Sequence, residues 1–161
     1  MSSPRGDTAL WHALYSLEAR YWRDVDFNDG RGAHEFYMSD GIFRVGDNEF
    51  RGEDKIRQFY AWREQRGLAT VRTMRTTRHL ISNFLAEPVG AREAKASGAI
   101  SFFEAPGRAP CMASSPPILI ADIENVCLLD DDDRWRFKAH VLRPVFMGDE
   151  VPLSLAVDLT R

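Results

Sequence analysis

Cysteine is scarce, with two in 161 residues, and Cys111 and Cys127 lack both CxxC spacing and a histidine pair nearby in sequence. The sequence therefore encodes no recognisable zinc site or dithiol redox motif, no bound metal is expected, and both thiols are expected to be reduced. Long apolar runs are also missing. No stretch approaches the length of a membrane span, and the opening MSSPRGDTAL has no apolar signal core, so a cytoplasmic protein with no membrane partner is expected. Positive charge is not in excess. Lys and Arg number 21 against 24 Asp and Glu, giving a net charge of -3, which leaves no broad basic field for a nucleic-acid partner. Arg72, Arg75 and Arg78 recur at short spacing, but strand alternation scatters them over two faces, as on a solvated or inter-subunit surface.

What is present has the balance of a globular chain, with 44% hydrophobic and 28% charged residues, and residues 1–161 are long enough for one domain with its own core. Leu10, Leu14, Leu17, Tyr21 and Val25 repeat at helical spacing and predict a helix from an Asp7 cap to about Phe27. The cluster Asn28-Asp29-Gly30-Arg31-Gly32 breaks it, and 33–38 can form a short second helix. Gly41–Val45 and Asn48–Arg51 flank Gly46-Asp47 as a hairpin. A third helix is expected over Glu53–Arg66, with Gly67 as its stop. From Thr70 the pattern turns extended, in runs 70–87, 92–104, 118–129 and 135–147, and Asp130–Asp133 reads as a solvated hairpin turn. Helices followed by long strands predict an α+β fold, with helices on one face of a curved, mostly antiparallel sheet.

Several residues carry chemistry. Period-two alternation groups His79 with Ile81, Asn83 and Leu85 on a mostly apolar face. There an imidazole can be tuned across neutral pH for acid–base work, although the same pattern fits a core histidine satisfied by a carbonyl or carboxylate. In the last strand Trp135, Phe137, Ala139, Val141, Arg143, Val145 and Met147 alternate onto one face, with Arg136, Lys138 and His140 on the other. Arg143 among apolar neighbours needs a carboxylate, a carbonyl or a ligand. Late in the first helix, Tyr21, Asp24 and Asp26 flank Trp22. At about 100° per residue, Asp24 lies about 60° from Tyr21 and Asp26 about 140°, so helix geometry alone favours Asp24 as a partner for His79. Tyr60 and Phe102 belong to an aromatic set suited to a flat or cyclic ligand, and Glu18, Asn83 and Asn125 are further polar candidates for inward faces.

The segments Tyr21-Trp-Arg-Asp-Val-Asp26, Ser39-Asp-Gly-Ile-Phe43, Gly52-Glu-Asp-Lys-Ile56, Arg78-His79-Leu-Ile-Ser-Asn83 and Asp133-Arg-Trp-Arg-Phe137 together resemble the SnoaL-like branch of the nuclear-transport-factor-two-like superfamily. The resemblance spans about residues 8–148 and leaves 149–161 as a tail. It implies a cone-shaped barrel of three N-terminal helices on a strongly curved sheet, an apolar pocket, and a homodimer or homotrimer formed through the sheet. It implies no cofactor.

The dehydratase and dehydrochlorinase members pair an aspartate late in the first helix with a histidine of the RHxxxN-like strand, which here are Asp26 and His79, while Tyr21 matches the tyrosine of bile-acid dehydratase-like members. By that resemblance His79, Asp26, Tyr21 and Arg143 are the catalytic candidates, and Asp24, Asn83, His140, Tyr60, Phe102 and Trp22 the substrate-binding ones. Many relatives carry an arginine where this chain has His140, so the cationic role is open between His140 and Arg143. The implied activity is that of a cofactor-independent lyase or isomerase acting on a hydrophobic cyclic small molecule such as a steroid, polyketide or aromatic catabolite. The alternative is a non-catalytic binding or assembly subunit resembling the small subunits of ring-hydroxylating dioxygenases.

Overall fold

The apolar stripe of the first helix decides how the rest of the chain packs. In the computed structural model, which describes residues 4–71, 75–112, 115–149 and 151–156, that helix is α1 (Pro4–Asn28). It buries Leu14, Leu17, Tyr21 and Val25 of the expected stripe, with Leu10 only partly buried, and it buries Trp22 as well. Leu14, Glu18, Trp22 and Asp26 form a second row on the same side, each four residues and about 40° from the last. Asp29 and Gly30 then adopt left-handed backbone, with φ of 56 and 75°, and end the helix. A side chain at Gly30 would land on the Tyr60 ring, so glycine permits both the turn and the close packing.

The expected second helix is instead a four-residue 3-10 turn, Ala33–Phe36. So short a segment gains little from helical bonds alone, and strand β1 (Tyr37–Val45) begins at once, with Tyr37 paired to Phe137. Two α-helices, not three, are therefore found among the described residues. The hairpin of β1 and β2 (Asn48–Arg51) turns at Gly46 as the sequence indicated. Helix α2 (Glu53–Val71) runs straight through Gly67. That glycine is a close approach rather than a stop, because a Cβ there would sit 3.3 Å from Arg75 Cδ. The remaining strands are β3 (Arg75–Gly90), β4 (Glu93–Pro106), β5 (Leu119–Leu129) and β6 (Trp135–Met147). Arg72 lies outside the described residues, as do parts of the 106–117 loop and of the tail.

The six strands form one mixed sheet in the order β2-β1-β6-β5-β4-β3. The β1–β6 contact is parallel and the others are antiparallel, so the fold is α+β with a mostly antiparallel sheet. Register shifts interrupt β3 between Ser82 and Leu85, and β6 opposite Val126 and Cys127. Each extra residue bends its strand and reverses which side chains face inward. In β6 the shift between Phe137 and Ala139 brings Phe137, His140 and Leu142 to the core, against the unbroken alternation expected. In β3, Asn83 takes φ 52° and Phe84 turns inward in place of Asn83 and Leu85. Among the described residues no helix is long and apolar enough to cross a membrane.

The shift in β6 sets a mutational test. Leu142→Ala should cost about 2–5 kcal/mol of unfolding free energy and Arg143→Ala less than about 0.5 kcal/mol, measured by denaturant unfolding. Uninterrupted alternation requires the reverse order.

Candidate active site

His79 occupies the inward face of β3, and its cross-strand partner is Phe102 of β4. The imidazole is sandwiched between Trp22 (centroids 4.1 Å apart, 18° between planes) and Phe102 (4.4 Å, 11°). Its Nδ1 lies 2.7 Å from Asp26 Oδ1. Asp26 Oδ2 accepts the backbone N–H of His79 at 2.8 Å, and Thr77 Oγ1 donates to Oδ1 at 2.9 Å. The side chains of His79 and Asp26 are 7% and 5% exposed. The carboxylate that reaches His79 is thus Asp26 and not Asp24. The relevant neighbour on the helix is Trp22, which stacks on His79 and sits four residues before Asp26; Tyr21, the reference for the sequence argument, faces elsewhere. Asp24 accepts from Gly32 N–H (3.0 Å) and Asn28 Nδ2 (2.8 Å). It organises the turn after α1 instead of meeting a substrate.

Burial pushes the His79 imidazole below its ordinary value of 6.5 and outweighs the opposing pull of Asp26, with the Arg63 charge adding to the downward push. Burial alone would raise the Asp26 carboxyl. The hydrogen bonds and charge of His79, with Thr77, more than reverse that and hold it below 3.8. The pair therefore stands at neutral pH as a carboxylate and a neutral imidazole, with the proton on Nδ1 assigned from the hydrogen-bond pattern. Among the described residues nothing hydrogen-bonds Nε2.

His79 borders a cavity of about 30 Å³ that it shares chiefly with Trp22, Tyr60, Arg63, Phe102 and Ser154. That is room for a water molecule and not yet for a ring. An open vestibule of about 260 Å³, bordered by Arg63, Thr77, Glu104 and Leu153, shares Arg63 with that cavity. Ser154 and Leu153 belong to the 3-10 turn Leu153–Leu155, which Asn48 Nδ2 ties down through the Ser154 and Leu155 carbonyls at 3.3 Å. The segment expected to be a tail therefore covers the cavity. A larger cleft of about 860 Å³, bordered by His12, Arg20, Glu35 and Arg134, does not reach His79. Two of its charged residues, Asp130 and Arg136, are paired with each other.

The other candidates are distributed differently from expectation. Trp22, Tyr60 and Phe102 border the cavity. Tyr21 and His140 do not: both are fully buried in a second polar network. Tyr21 bonds Tyr60 hydroxyl to hydroxyl and accepts from Tyr37 at 3.1 Å. Tyr37 meets His140 Nδ1 at 2.9 Å, and His140 Nε2 meets Glu18 at 3.0 Å. Glu18 also accepts from Trp22 Nε1 and from Asn125 Nδ2, each at 2.7 Å. Burial drives the Glu18 carboxyl upward, but the charge and hydrogen bond of His140 with the other donors bring it below 4.5, while burial lifts the Tyr21, Tyr37 and Tyr60 phenols. Asn83 is exposed in its bulge. Arg143 points outward to Glu124 at 2.9 Å, both side chains being more than half exposed. Neither enters the cavity, because the register shifts reverse the faces on which they were placed. Sequence reasoning missed Arg63, whose guanidinium carbon lies 5.8 Å from the Phe102 centroid. The available signal was its place three residues after Tyr60 on the same helix. Among the described residues no three His, Cys, Asp or Glu side chains converge as a metal site.

No family model matches this sequence, and no curated protein matches it. Solved structures do. A candidate scytalone dehydratase from Novosphingobium aromaticivorans is 19% identical over 87% of each chain, with a TM-score of 0.68. ActVI-ORFA from Streptomyces coelicolor is 14% identical, covering 84% of this chain and 97% of its own, with a TM-score of 0.70. The beta subunit of a candidate aromatic-ring-hydroxylating dioxygenase from Novosphingobium aromaticivorans is 13% identical, covering 92% and 96%, with a TM-score of 0.70. Identity this low speaks for the fold alone, which is the nuclear-transport-factor-two-like one.

The charge states make stability pH-dependent in a definite direction. Below about 6.5 an unfolded His79 binds a proton that the folded one resists, so stability falls as pH drops. Asp26 and Glu18, both held low, contribute stability above their ordinary values that is lost further into acid. Denaturant unfolding from pH 8 to 4 should show this decline, and His79→Gln should flatten its upper limb between pH 7 and 5.5.

Proposed function

We propose that this chain is a cofactor-independent lyase or isomerase that removes a proton beside a carbonyl or leaving group of a hydrophobic cyclic molecule. The observation that carries the reading is the His79–Asp26 pair, which leaves the Nε2 lone pair unengaged on a ring that borders a small, mostly apolar cavity. Nε2 takes the carbon-bound proton, and Asp26 stabilises the imidazolium that forms. Tyr37 donates to Tyr21. With Tyr21 donating onward, the Tyr60 proton is left for a substrate oxygen, so Tyr60 and not Tyr21 serves as the donor. In an elimination the C–H electron pair becomes the new C=C bond, and His79 returns its proton to the departing hydroxyl, releasing water. In an isomerisation the same proton returns to another carbon. A ring can enter only if Arg63 or the Leu153–Leu155 turn moves aside. A cone closing round this cavity is the shape assigned to the arrangement, and the similarity to a candidate scytalone dehydratase agrees with dehydration chemistry. The two free cysteines accord with a reducing, cytoplasmic setting.

A second reading, an assembly or binding subunit, is favoured by exposed apolar residues on the sheet: Leu80 and Leu85 on β3, and Val145, Phe146 and Met147 at the end of β6. It also fits the similarity to a dioxygenase beta subunit. The same surface suits a homodimer or homotrimer. Light scattering behind size exclusion separates them, a stable homo-oligomer favouring the enzyme and a chain soluble only with a larger partner favouring the subunit.

The chemistry is tested by deuterium incorporation from heavy water into a panel of cyclic ketones and β-hydroxy ketones, followed by mass spectrometry. Wild type should exchange the proton next to the carbonyl, at a rate that falls as pH drops through a midpoint below 6.5. His79→Gln should be slower by roughly 10²–10⁴-fold. Asp26→Asn should also be impaired, since the His79 N–H and the Nδ1–H meet different oxygens of Asp26, one of which becomes an NH2 donor in Asn. Equal exchange by wild type and His79→Gln would refute the assignment.

A further inference from the structure

Arg63 stands apart among the charges around the cavity. The neighbouring carboxylates are committed: Glu64 to Arg31, Glu104 to Arg75, Asp26 to His79 and Thr77, and Asp24 to Asn28 and Gly32. Asp29, the remaining acid of the vestibule, acts on Arg31. No carboxylate among the described residues lies within ion-pair distance of Arg63. Of the described residues, Arg63 alone borders both the cavity and the vestibule. Among the described residues it is a partly buried guanidinium without a counter-ion, and it borders both spaces.

We infer that Arg63 is an anion-recognising residue, and that the molecule processed beside His79 carries a planar carboxylate. A guanidinium drawn from water without a partner is costly, and that cost is relieved when an anion arrives. Its planar fork meets the two coplanar oxygens of a carboxylate through parallel hydrogen bonds. With the carboxylate held by Arg63, the rest of the ligand extends into the cavity against Trp22, His79 and Phe102, towards Nε2 and the Tyr60 hydroxyl. The charged end then sets which carbon faces His79. Neutralising Arg63 also removes the repulsion it exerts on a protonated His79, so binding favours proton transfer to that ring.

The inference rests on the proposed reading only in taking this cavity as the place of reaction, and it can be tested without turnover. The probes are 2-naphthoate and its neutral counterpart 2-naphthamide, with dissociation constants measured by titration calorimetry. Wild type should bind the carboxylate at least about tenfold more tightly than the amide. Arg63→Gln and Arg63→Met, two replacements at a partly exposed helix position, should abolish that preference. His79→Gln should keep the preference while losing proton exchange, which separates the two claims. Equal affinity for the probes in wild type, no measurable naphthoate binding, or a preference that persists in folded Arg63→Gln or Arg63→Met would overturn the inference.

Discussion

The buried carboxylate of Glu18 is the constraint on which the arrangement depends. An ionised group enclosed on all sides is tolerated only when its oxygens are fully engaged, and Glu18 accepts from Trp22, His140 and Asn125, so it ties α1 to β5 and β6. Two consequences reach the cavity. The indole held by Glu18 is the one stacked on His79. The imidazole held by Glu18 orients Tyr37, which orients Tyr21 and then Tyr60. A single carboxylate in the middle of α1 thereby fixes both the wall against which His79 rests and the phenol at the other side of the cavity.

Among the described residues there are two buried histidine–carboxylate pairs, and their difference lies in what the second ring nitrogen meets. In His140 both nitrogens are engaged, Nε2 by Glu18 and Nδ1 by Tyr37, and the residue is fully enclosed. In His79 only Nδ1 is engaged, and the ring borders open space. Residue type and a carboxylate partner are common to both. Local geometry separates a structural junction from a group able to exchange a proton with a ligand.

Much of the scaffold was legible because it depends on local period. The stripe of α1, the Gly46 hairpin and the block of strands follow from spacing and turn residues. What escaped depends on events that spacing does not encode. Single-residue insertions in β3 and β6 reverse the inward face midway, removing Asn83 and Arg143 from the interior and bringing in Phe84 and His140. In α1 the angles about Tyr21 point to Asp24, whereas the row that meets His79 runs through Trp22 and Asp26. Gly67 reads as a stop because glycine most often is one, while here it makes room for Arg75. Arg63 sits on a helix rich in charge, where one guanidinium without a partner looks like any solvated neighbour until the carboxylates around it are assigned.

The account stands on His79 being a neutral imidazole, protonated on Nδ1 towards Asp26 and bare on Nε2. Nitrogen-15 NMR of the His79 ring across pH reads this directly. The expected spectrum at pH 7 shows a protonated Nδ1 and an unprotonated Nε2, with a titration midpoint below 6.5. A ring already charged at pH 7, or one protonated on Nε2, would contradict it.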